Sequence, residues 1–466
     1  MKPHLEPESL TTTLAPRWRA YPAYKDSGLD WWGEVPVHWE VGRLGQVTKA
    51  FISGGTPSTE QSGLWDGSVP WTTSALITKE ATTLDHAQRF ITEHGLAQSA
   101  SHLVPKGNLL VGTRVGVGKA AVNLLDIAIS QDLTGVVLNQ SQVLATYAAY
   151  QFKIGQVEAF FDGRKRGATI KGISRLDLQR LPFFLPPLPE QQAIAAFLDR
   201  ETAKLDALIT KKEELIALLQ EKRAAIISHA VTRGLDPAAP LKGSGVEWLG
   251  QIPARWQVVL LGGLCANNQG HIQTGPFGSQ LHASDYTSAG IPVVNPTHLG
   301  FNTIIEDHLP FISTEDADRL SRHYLLEGDV LISRRGDFSR FSYITHKQAG
   351  WLCGTGCLLI RLHHPALDNY FFSVAMSTKS IQHYLALNSV GSTMPNLNTR
   401  ILTEMPLPLP SIPEQKAIVA FLDDKTAKID TLISKIREGI EKVQEERTAL
   451  IAAAVTGKID VREEGD

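Results

Sequence analysis

Two long segments of the chain carry an apolar residue at every seventh position. The repeating residues are Leu198, Leu205, Leu219 and Ile226 in the first segment and Leu422, Ile429, Ile436, Val443 and Leu450 in the second. A seven-residue apolar repeat kept over several turns is typical of helices that pack along their length, as in a coiled coil. We therefore predict two long helices that use these residues for coiled-coil packing.

The ends of both segments carry residues that begin and end helices. Each segment begins with Pro-Glu-Gln, at Pro189 and at Pro413. Proline suits the first turn, where no backbone N–H is needed, and glutamate complements the positive end of a helix. Gly234 and Gly457 suit the position just after a helix. Each helix is expected to span about 44 residues, or roughly 60 Å.

Both apolar stripes have one irregularity. Lys212 interrupts the first stripe with a charged side chain, and Gly439 leaves the second stripe without a side chain at one position. These irregularities fit a pair of unlike helices within one chain better than a symmetric homodimer. If the pair is antiparallel, the globular regions that precede the helices lie at its opposite ends, and the helix length sets the distance between them.

The two helical segments are copies of each other. Residues 189–232 and 413–456 align without a gap at an offset of 224, and 26 of the 44 positions are identical. Near the start of each copy, SGLDWWGEVPVHWEV (27–41) matches SGVEWLGQIPARWQV (244–258) at seven of 15 positions, at an offset of 217. An internal repeat of this kind predicts that one structural unit is built twice.

Weaker matches connect the two copies between these anchors. VPKGNLLVGTRVG (104–116) parallels LLEGDVLISRRGD (325–337), GATIKGI (167–173) parallels GSTMPNL (391–397), and SVPWTT (68–73) lies opposite GIPVVN (290–295). The stretches between these matches diverge strongly. Each half of the chain is therefore a variable globular region followed by a nearly constant helix.

The variable regions contain two kinds of pattern. GNLLVGTRVG, AAVNLL, GDVLISRRG and GCLLIRL are short apolar runs bounded by glycine and charged residues, which is typical of buried strands. TYAAYQFKIGQVEAFFDG and YFFSVAMSTKSIQHYLAL have the spacing of amphipathic helices. The fold class is therefore α+β. The predicted organisation is a disordered tail over 1–23, globular regions over 24–186 and 241–410, and helical regions over 187–240 and 411–466.

Composition adds few constraints. Hydrophobic residues make up 43% of the chain and charged residues 20%, as in ordinary globular proteins. No uncharged apolar run of about 18 residues is present, and the first residues lack the apolar stretch of a signal peptide, so we expect no membrane association and a cytoplasmic location. Cys265, Cys353 and Cys357 make neither a disulfide framework nor a zinc site, and buried thiols are expected.

Charge is distributed unevenly. The net charge is −3, yet residues 41–186 carry 14 Lys and Arg against 10 Asp and Glu, whereas the last 56 residues carry nine against 12. Screening limits the influence of each charge to about 10 Å. A locally basic surface in a globular region can therefore bind phosphate although the chain as a whole is weakly acidic.

The sequence predicts no catalytic residue and no metal site. VGTRVGVGKAA resembles a phosphate-binding loop, but its glycines Gly112 and Gly118 are one residue too far apart, and Ala120 replaces the hydroxyl residue that would hold Mg²⁺. Asn295–His298 resembles the start of an adenine-methyltransferase motif without its aromatic fourth residue. A tight strand turn is the better interpretation of the glycine-rich loop.

Basic and amide side chains concentrate in loops at matching points of the two copies. Arginine and lysine bind DNA phosphates, and arginine can also bind guanine edges. In ISRRGDFSRFSY, Phe338, Phe341 and Tyr343 are interleaved with arginines. For any single residue, a solvated charged face is an equally good explanation. The predicted DNA-binding residues are Thr72, Thr73, Arg114, Lys119, Arg164, Lys165, Arg166, Lys171, Ser279, Gln280, Asn295, Arg334, Arg335, Arg340, Thr393, Asn396 and Asn398. Thr169 and Arg175 lie in the same short stretch as Arg164, Lys165, Arg166 and Lys171.

The chain resembles the specificity subunit of type I restriction–modification enzymes. The resemblance rests on the two tryptophan-rich segments, on SGGTPS (53–58) and IQTGPFGSQLHASDY (272–286), and on LPPLPEQQAIAAFLD (185–199) and LPLPSIPEQKAIVAFLD (407–423). These segments follow the order of the family and extend from about Tyr24 to Val461. The repeated Pro-Glu-Gln helix entry is highly specific.

This resemblance implies two target recognition domains that each read one half of an asymmetric, split site in double-stranded DNA. It implies that the two helices form an antiparallel coiled coil, which sets the gap between the halves and docks two modification subunits. Restriction subunits join through the modification subunits. Methyl transfer and cleavage, with S-adenosylmethionine, ATP and Mg²⁺, belong to those partners, so this chain is expected to hold no cofactor and to be no enzyme itself.

Within this resemblance, we expect Trp31, Trp39, Trp248 and Trp256 to pack each globular region onto the helices rather than to stack on bases. Two other functions stay open at this point. A methyltransferase or nuclease in one chain would need a cofactor-binding glycine turn or a clustered acidic metal site. A coiled-coil adaptor that binds only protein would have an affinity that changes little with salt, whereas a DNA reader loses affinity steeply as salt rises.

Overall fold

The computed structural model describes residues 18–29, 32–167, 171–265, 270–391 and 395–462. These residues form two compact units. The first unit consists of residues up to Lys212 together with Arg437–Asp466, and the second consists of Glu213–Ile436. Each unit therefore contains one half of each long helix, whereas the sequence suggested a division into globular and helical segments.

The first unit is built from many short strands and a few helices. Its strands are β1 (Tyr24–Asp26), β2 (Glu34–Pro36), β3 (Glu40–Arg43), β4 (Thr48–Ser53), β5 (Trp65–Thr72), β6 (Thr83–Leu84), β7 (Arg89–Ile91), β8 (Leu103–Val104), β9 (Leu109–Gly112), β10 (Ala120–Asn123), β11 (Ile127–Ile129), β12 (Leu133–Leu138) and β13 (Pro182–Leu185). Its helices are α1 (Glu93–Gln98), α2 (Ala145–Gln151), α3 (Gly155–Asp162), α4 (Arg175–Gln179) and the first half of α5 (Leu188–Arg233).

The second unit repeats this arrangement. Its strands are β14 (Leu241–Gly243), β15 (Gln251–Pro253), β16 (Gln257–Leu260), β17 (His271–Thr274), β18 (Tyr286–Thr287), β19 (Ile291–Val294), β20 (Phe311–Ile312), β21 (Val330–Ser333), β22 (Phe341–Tyr343), β23 (Leu352–Cys353), β24 (Cys357–Arg361) and β25 (Pro406–Leu409). Its helices are α6 (Leu261–Cys265), α7 (Thr314–Arg319), α8 (Asn369–Met376), α9 (Lys379–Asn388), α10 (Thr399–Thr403) and the first part of α11 (Ile412–Val455).

The main sheets of the two units share the order of four strands. In the first unit β4, β12, β9 and β10 lie side by side with β6 added at the edge, and in the second unit β17, β24, β21 and β22 lie in the equivalent order. A second sheet follows the order β7-β5-β11-β8 in one unit and β18-β20-β19-β23 in the other. The α+β class and the internal repeat are confirmed.

The two amphipathic segments are helical, but each is broken in the middle. Residues 145–162 form α2 and α3, and residues 369–388 form α8 and α9. Ile154, just before α3, and Thr378, just before α9, have extended backbone conformations, and the Thr378 hydroxyl caps α9. The apolar periodicity alone did not reveal these breaks.

The long helices α5 and α11 begin one residue before their prolines and run antiparallel within each unit. In the first unit, Arg447 Nε donates to Asp206 Oδ1 at 2.8 Å, and Lys212 Nζ lies 3.0 Å from where a Cβ of Gly439 would stand. Residue numbers along α5 therefore rise where the residue numbers of the facing part of α11 fall. The lysine that interrupts one stripe is accommodated by the glycine that thins the other.

The ion pairs between the helices are reciprocal. Asp430 is the repeat equivalent of Asp206, and Arg223 is the equivalent of Arg447, at the offset of 224. In the second unit Arg223 Nε lies 3.4 Å from Asp430 Oδ1. Each repeat therefore supplies the carboxylate of one pair and the guanidinium of the other.

The predicted apolar stripes lie between the helices to different degrees. The five α11 residues, from Leu422 to Leu450, are buried. On α5, Leu198 is buried, whereas Leu205, Leu219 and Ile226 are half-buried. Leu208, Leu215 and Leu218 on α5 are exposed. None of the described helices is long and apolar enough to cross a membrane.

The tryptophan-rich segment of each copy fastens its unit to both helices. Trp39 is fully buried, and its indole N–H donates to Glu190 Oε1 at the start of α5, at 2.9 Å. A Cβ at Gly457, just after α11, would lie 3.2 Å from the Trp39 ring and 2.3 Å from Pro36 Cδ. Trp39 therefore joins the start of its own helix to the end of the helix from the other repeat.

Trp256 makes the corresponding junction in the second unit. It is buried, and Arg255 binds Glu414 at the start of α11 with a distance of 2.6 Å. A Cβ at Gly234, just after α5, would lie 3.3 Å from the Trp256 ring. Trp248 is half-buried on the same core. Trp31 lies outside the described residues, and its neighbour Trp32 packs on Phe184 with ring centroids 4.3 Å apart.

The glutamine of each Pro-Glu-Gln entry ties the helix start to the preceding chain. Gln191 Nε2 donates to the carbonyls of Gln142 and Pro186, and its Oε1 accepts from Leu144 N. Gln415 makes the three equivalent bonds in the second unit. Both side chains are fully buried, so each amide satisfies backbone groups that would otherwise be unpaired.

The expectation of a disordered tail over 1–23 is wrong for Trp18–Ala23. Tyr21 is buried and donates to Glu190 Oε1 at 2.6 Å. The ring of Trp18 packs edge-on against Phe197 with centroids 4.8 Å apart. Two aromatic side chains supply enough apolar contact to order a segment without regular secondary structure. Residues 1–17 lie outside the described part of the chain.

Replacement of Gly457 by alanine tests the junction between the repeats. Gly457 has a φ of +73°, a conformation that costs an alanine about 1 kcal/mol, and its new Cβ meets Pro36. We expect Gly457→Ala to lower the free energy of unfolding by about 2–4 kcal/mol, measured by urea or thermal denaturation.

Gly28→Ala is the matched control. Gly28 has the same φ of +73°, but nothing lies within 4 Å of its Cβ position. Gly28→Ala should therefore lower the free energy of unfolding only by the cost of placing alanine in this backbone conformation. Equal losses for the two variants would contradict a tight contact between the end of α11 and the first tryptophan segment.

Candidate nucleic-acid interface

In the second unit, four loops meet at one end of the sheets. A Cβ at Gly275 would lie 2.1 Å from the Gly354 carbonyl oxygen, and one at Gly354 would lie 2.2 Å from Asn295 Oδ1. Arg334 N donates to the Gly356 carbonyl at 2.8 Å. We name this surface, made by residues 275–280, 295–298, 333–340 and 354–356, the second rim.

The first unit has the same arrangement. A Cβ at Gly54 would lie 2.2 Å from the Ser130 carbonyl oxygen, and Ser130 N donates to the Thr72 carbonyl at 2.9 Å. The Thr56 hydroxyl donates to Gln131 Oε1, and Arg114 N approaches the Asp132 carbonyl. Residues 54–58, 73–76, 113–119 and 130–132 form the first rim.

An antiparallel bridge, which we name the hairpin of each unit, joins each rim at an equivalent point. Arg166 and Gly172 form a β-bridge in the first unit, and Val390 and Asn396 form the equivalent bridge in the second. Ile173 N donates to the Thr113 carbonyl, and Leu397 N donates to the Arg334 carbonyl, each at 2.8 Å. The segments of two weak sequence matches, 104–116 with 167–173 in the first unit and 325–337 with 391–397 in the second, therefore meet at one joint in each unit.

The first rim and its hairpin collect most of the predicted basic residues. Arg114, Arg166 and Lys171 are exposed, and Lys119 is half-buried. Arg164 lies over the Phe160 ring at 3.7 Å, and Lys165 pairs with Asp162. Three exposed cations at one joint give a positive surface of the kind that holds phosphate.

A buried carboxylate, that of Asp177, lies close to this basic hairpin. Burial opposes ionisation of Asp177, but hydrogen bonds from Ser174 and the nearby Arg166 and Arg164 lower its pKa below the ordinary value. Ser174 and Asp177 also form the capping box of α4. Asp177 therefore fixes the start of α4, and its negative charge lies near enough to Arg166 and Arg164 to interact with both.

The second rim carries fewer free cations. Arg335 is exposed, and Arg334 is half-buried with its Nε donating to Asn396 Oδ1 at 3.2 Å. Arg340 lies 3.7 Å from Asp337, whose pKa is lowered chiefly by a hydrogen bond from Ser339. Ser279, in another loop of the second rim, is also exposed. The polar surface of the second rim thus depends more on amides and hydroxyls than that of the first rim.

Several predicted residues have structural roles in the fold. Thr73 and Asn295 occupy equivalent positions at the N-terminal ends of short 3-10 turns. Asn398 caps α10 by accepting from Ile401 N, and Gln280 Oε1 accepts from Phe277 N. Their contact with DNA stays a prediction, as does that of the other exposed residues. Thr393, like Thr169, lies outside the described residues.

The prediction for Thr72 is wrong, because its side chain is fully buried. Its repeat equivalent is Val294, which is also fully buried, so the position belongs to the core. The aromatic residues interleaved with the arginines of ISRRGDFSRFSY belong largely to the core. Phe338 and Phe341 are buried in the second unit, and Tyr343 is half-buried.

Sequence reasoning missed two rim residues. Thr56 and Phe277 occupy equivalent places, two residues after Gly54 and Gly275, and Phe277 is 53% exposed. Both lie in segments, SGGTPS and TGPFGS, that differ too much to be aligned by eye. The strand registers Ser53–Thr134 and Thr274–Leu358 reveal the correspondence. Among the residues that the structure describes, no cluster of His, Cys, Asp and Glu could hold a metal ion.

A family model described as the type I restriction modification DNA specificity domain matches the chain twice, over residues 36–218 and 253–442. The two matches fall on the two repeats and together span most of the chain. Each begins in a tryptophan-rich segment and ends within a long helix. The match therefore covers the rims, Trp39 and Trp256 of the junctions, and most of both helices, but not Gly234 and Gly457 at the helix ends.

Similar proteins of comparable length carry specificity-subunit names. The type I restriction enzyme MjaVIII specificity subunit of Methanocaldococcus jannaschii is 22% identical over 449 residues, which are 92% of this chain and 94% of that protein. The EcoKI specificity subunit of Escherichia coli K12 is 21% identical over 440 residues, 92% of this chain and 90% of that protein.

Two solved structures have a similar fold. One, described as "Structural basis underlying complex assembly and conformational transition of the type I R-M system", superposes with a TM-score of 0.69 at 17% identity, covering 91% of this chain and 99% of that chain. The other is the HsdS subunit from Thermoanaerobacter tengcongensis, with a TM-score of 0.50 at 16% identity, covering 91% and 98%. At these identities the likeness is one of fold.

Proposed function

The chain belongs to the family of type I restriction–modification DNA specificity domains, and we propose that it is the DNA-recognition and scaffold subunit of a type I restriction–modification complex. In this proposal each rim reads one half of a split site in double-stranded DNA. The paired helices set the gap between the halves and dock two modification subunits. Restriction subunits join through the modification subunits.

The observation that carries the proposal is the joint between rim and hairpin, which is built twice and carries basic side chains both times. Arg114 and Arg166 lie at this joint in the first unit, and Arg334 and Arg335 lie at it in the second. Arginine serves phosphates and can bind two acceptors of a guanine edge. Because screening is strong, a net charge of −3 does not oppose such local contacts.

The differences between the rims support an asymmetric site. The rims share their backbone arrangement, but Thr56 pairs with Gln131 in the first, whereas Phe277 stands at the place of Thr56 in the second, and Asn295 stands there at the place of Thr73. Base identity is read by side chains in the grooves, while backbone and phosphate contacts only fix position. Two frameworks of one kind with unlike side chains would therefore read two unlike half-sites.

The chemistry belongs to other subunits in this proposal. The modification subunits would bind S-adenosylmethionine and transfer the methyl group, and the restriction subunits would use ATP and Mg²⁺. This chain would contribute position and sequence choice. If it were an enzyme by itself, the isolated chain would bind S-adenosylmethionine tightly, which equilibrium dialysis can measure.

Mapping of methylated adenines across the genome, in cells with and without this chain, tests the proposal. We expect a methylated sequence that depends on the chain and consists of two unlike halves separated by a fixed gap. The chain must be present for modification of both halves. Absence of any chain-dependent methylation would contradict the proposal.

The rim arginines are expected to determine how binding depends on salt. Arg166→Gln and Arg335→Gln each remove one exposed cation, so the slope of log affinity against log salt should become shallower by about 0.9 per lost phosphate contact. Fluorescence anisotropy with labelled duplex DNA measures this slope. Lys347→Gln is the control. Lys347 pairs with Glu306 and follows the end of β22, whereas Arg335 of the second rim precedes the start of that strand. Equal slopes for the three variants, or salt-independent binding, would favour an adaptor that binds only protein.

The helix length is expected to determine the gap in the recognised site. We consider insertion of four residues into α5 between Lys211 and Leu219, with four more at the facing part of α11 between Asp430 and Gly439. One added turn in each helix lengthens the pair by roughly 6 Å, between one and two base-pair steps. The methylated sequence should keep both halves and gain a longer gap.

Insertion into α5 alone is the control for this experiment. It displaces Arg223 from Asp430 or Asp206 from Arg447 and should destabilise the pair rather than lengthen it cleanly. Altered half-site bases with an unchanged gap would refute the role of the helices as a spacer.

A further inference from the structure

Phe277 is an exposed aromatic side chain on the second rim. It is 53% exposed, although phenylalanine is usually buried. It stands between Pro276 and Gly278, and nothing lies within 4 Å of a Cβ at Gly278. With 53% of its surface exposed, Phe277 is accessible to whatever approaches the rim.

The turn that carries Phe277 is held on several sides. Phe277 N donates to Gln280 Oε1 at 3.0 Å, and its carbonyl accepts from Gln280 N at 2.8 Å. Arg319 NH1 donates to the Gln280 carbonyl at 2.9 Å. The following residue, Leu281, is 4% exposed and anchors the turn in the core. The exposed ring therefore projects from a fixed backbone.

The equivalent place in the first rim carries a different side chain. Gly54 and Gly275 match by strand register, and the second residue after each is Thr56 and Phe277. The Thr56 hydroxyl is bound to Gln131 Oε1. The first rim thus presents a hydrogen-bonded polar group where the second presents a ring.

We propose that Phe277 inserts against the bases of the half-site read by the second unit and partly unstacks one base step. The inference rests on the proposed function of the chain. Apolar side chains that enter between base steps kink the duplex, and every base offers a π-face to an aromatic ring. Ser279, Asn295 and Arg335 on the same rim supply polar contacts that position the duplex around the ring.

The test uses the complete complex and the DNA site found by methylation mapping. The base analogue 2-aminopurine, whose fluorescence rises when it unstacks, is placed in turn at each purine of both halves other than the methylated adenines. With the wild-type chain, one position in a single half should brighten on binding. Phe277→Ala should abolish that signal and weaken binding roughly 5- to 100-fold, the effect of losing one base–aromatic contact.

Two further variants separate insertion from other effects. Phe277→Trp keeps an aromatic face and should retain most of the signal and affinity. Leu260→Ala is the control, because Leu260 is 54% exposed in the same unit but lies on β16, paired with β25. It should bind as the wild type does.

The outcomes distinguish this inference from the proposed function. If no chain-dependent site exists, the proposed function fails. If the site exists and Phe277→Ala binds it with wild-type affinity and fluorescence, the insertion is refuted. If Phe277→Ala prevents assembly with the modification subunits and leaves the DNA signal of the assembled fraction unchanged, the ring is a protein contact and the inference is also overturned.

Discussion

The structure depends on a buried tryptophan that contacts the start of one long helix and the end of the other. Trp39 donates to Glu190 at the start of α5 and packs beside Gly457 at the end of α11. In the second unit Trp256 packs beside Gly234, while the adjacent Arg255 binds Glu414 at the start of α11. A tryptophan buries enough apolar surface to dominate a local core. Since the two helix ends at each junction come from different repeats, neither repeat can complete its unit alone.

This exchange explains why the helices and junctions stayed alike while the rims diverged. A change on one helix alters a contact with the other repeat, as the reciprocal pairs Asp206–Arg447 and Asp430–Arg223 show. The rims are built on strand ends whose backbone bonds are repeated, so their side chains can vary without loss of the framework. A conserved scaffold with two variable surfaces is the arrangement that reading two unlike half-sites requires.

The long helices could be predicted because neighbouring residues along the chain determine both the helix ends and the apolar stripes. The observed helices begin one residue before the prolines that the sequence indicated as their starts. The pairing of Lys212 with Gly439 was also foreshadowed by two matching irregularities. The identical Asp and Arg of the repeats could have been recognised as partners. Burial of Thr72, Phe338 and Phe341 could not be read from segments of mixed polarity, because the pairing of β5 and β22 within their sheets decides which side chains point inward. Phe277 escaped notice because only strand register aligns it with Thr56.

Cross-linking of cysteines placed on the two helices tests the central claim that the repeats exchange antiparallel helices within one chain. Asp206→Cys with Arg447→Cys, and Arg223→Cys with Asp430→Cys, should each give an intramolecular cross-link with a short bifunctional maleimide, since the described native cysteines are buried. Asp206→Cys with Asp430→Cys should give none. A cross-link between residues 206 and 430, or links only between separate chains, would contradict the account.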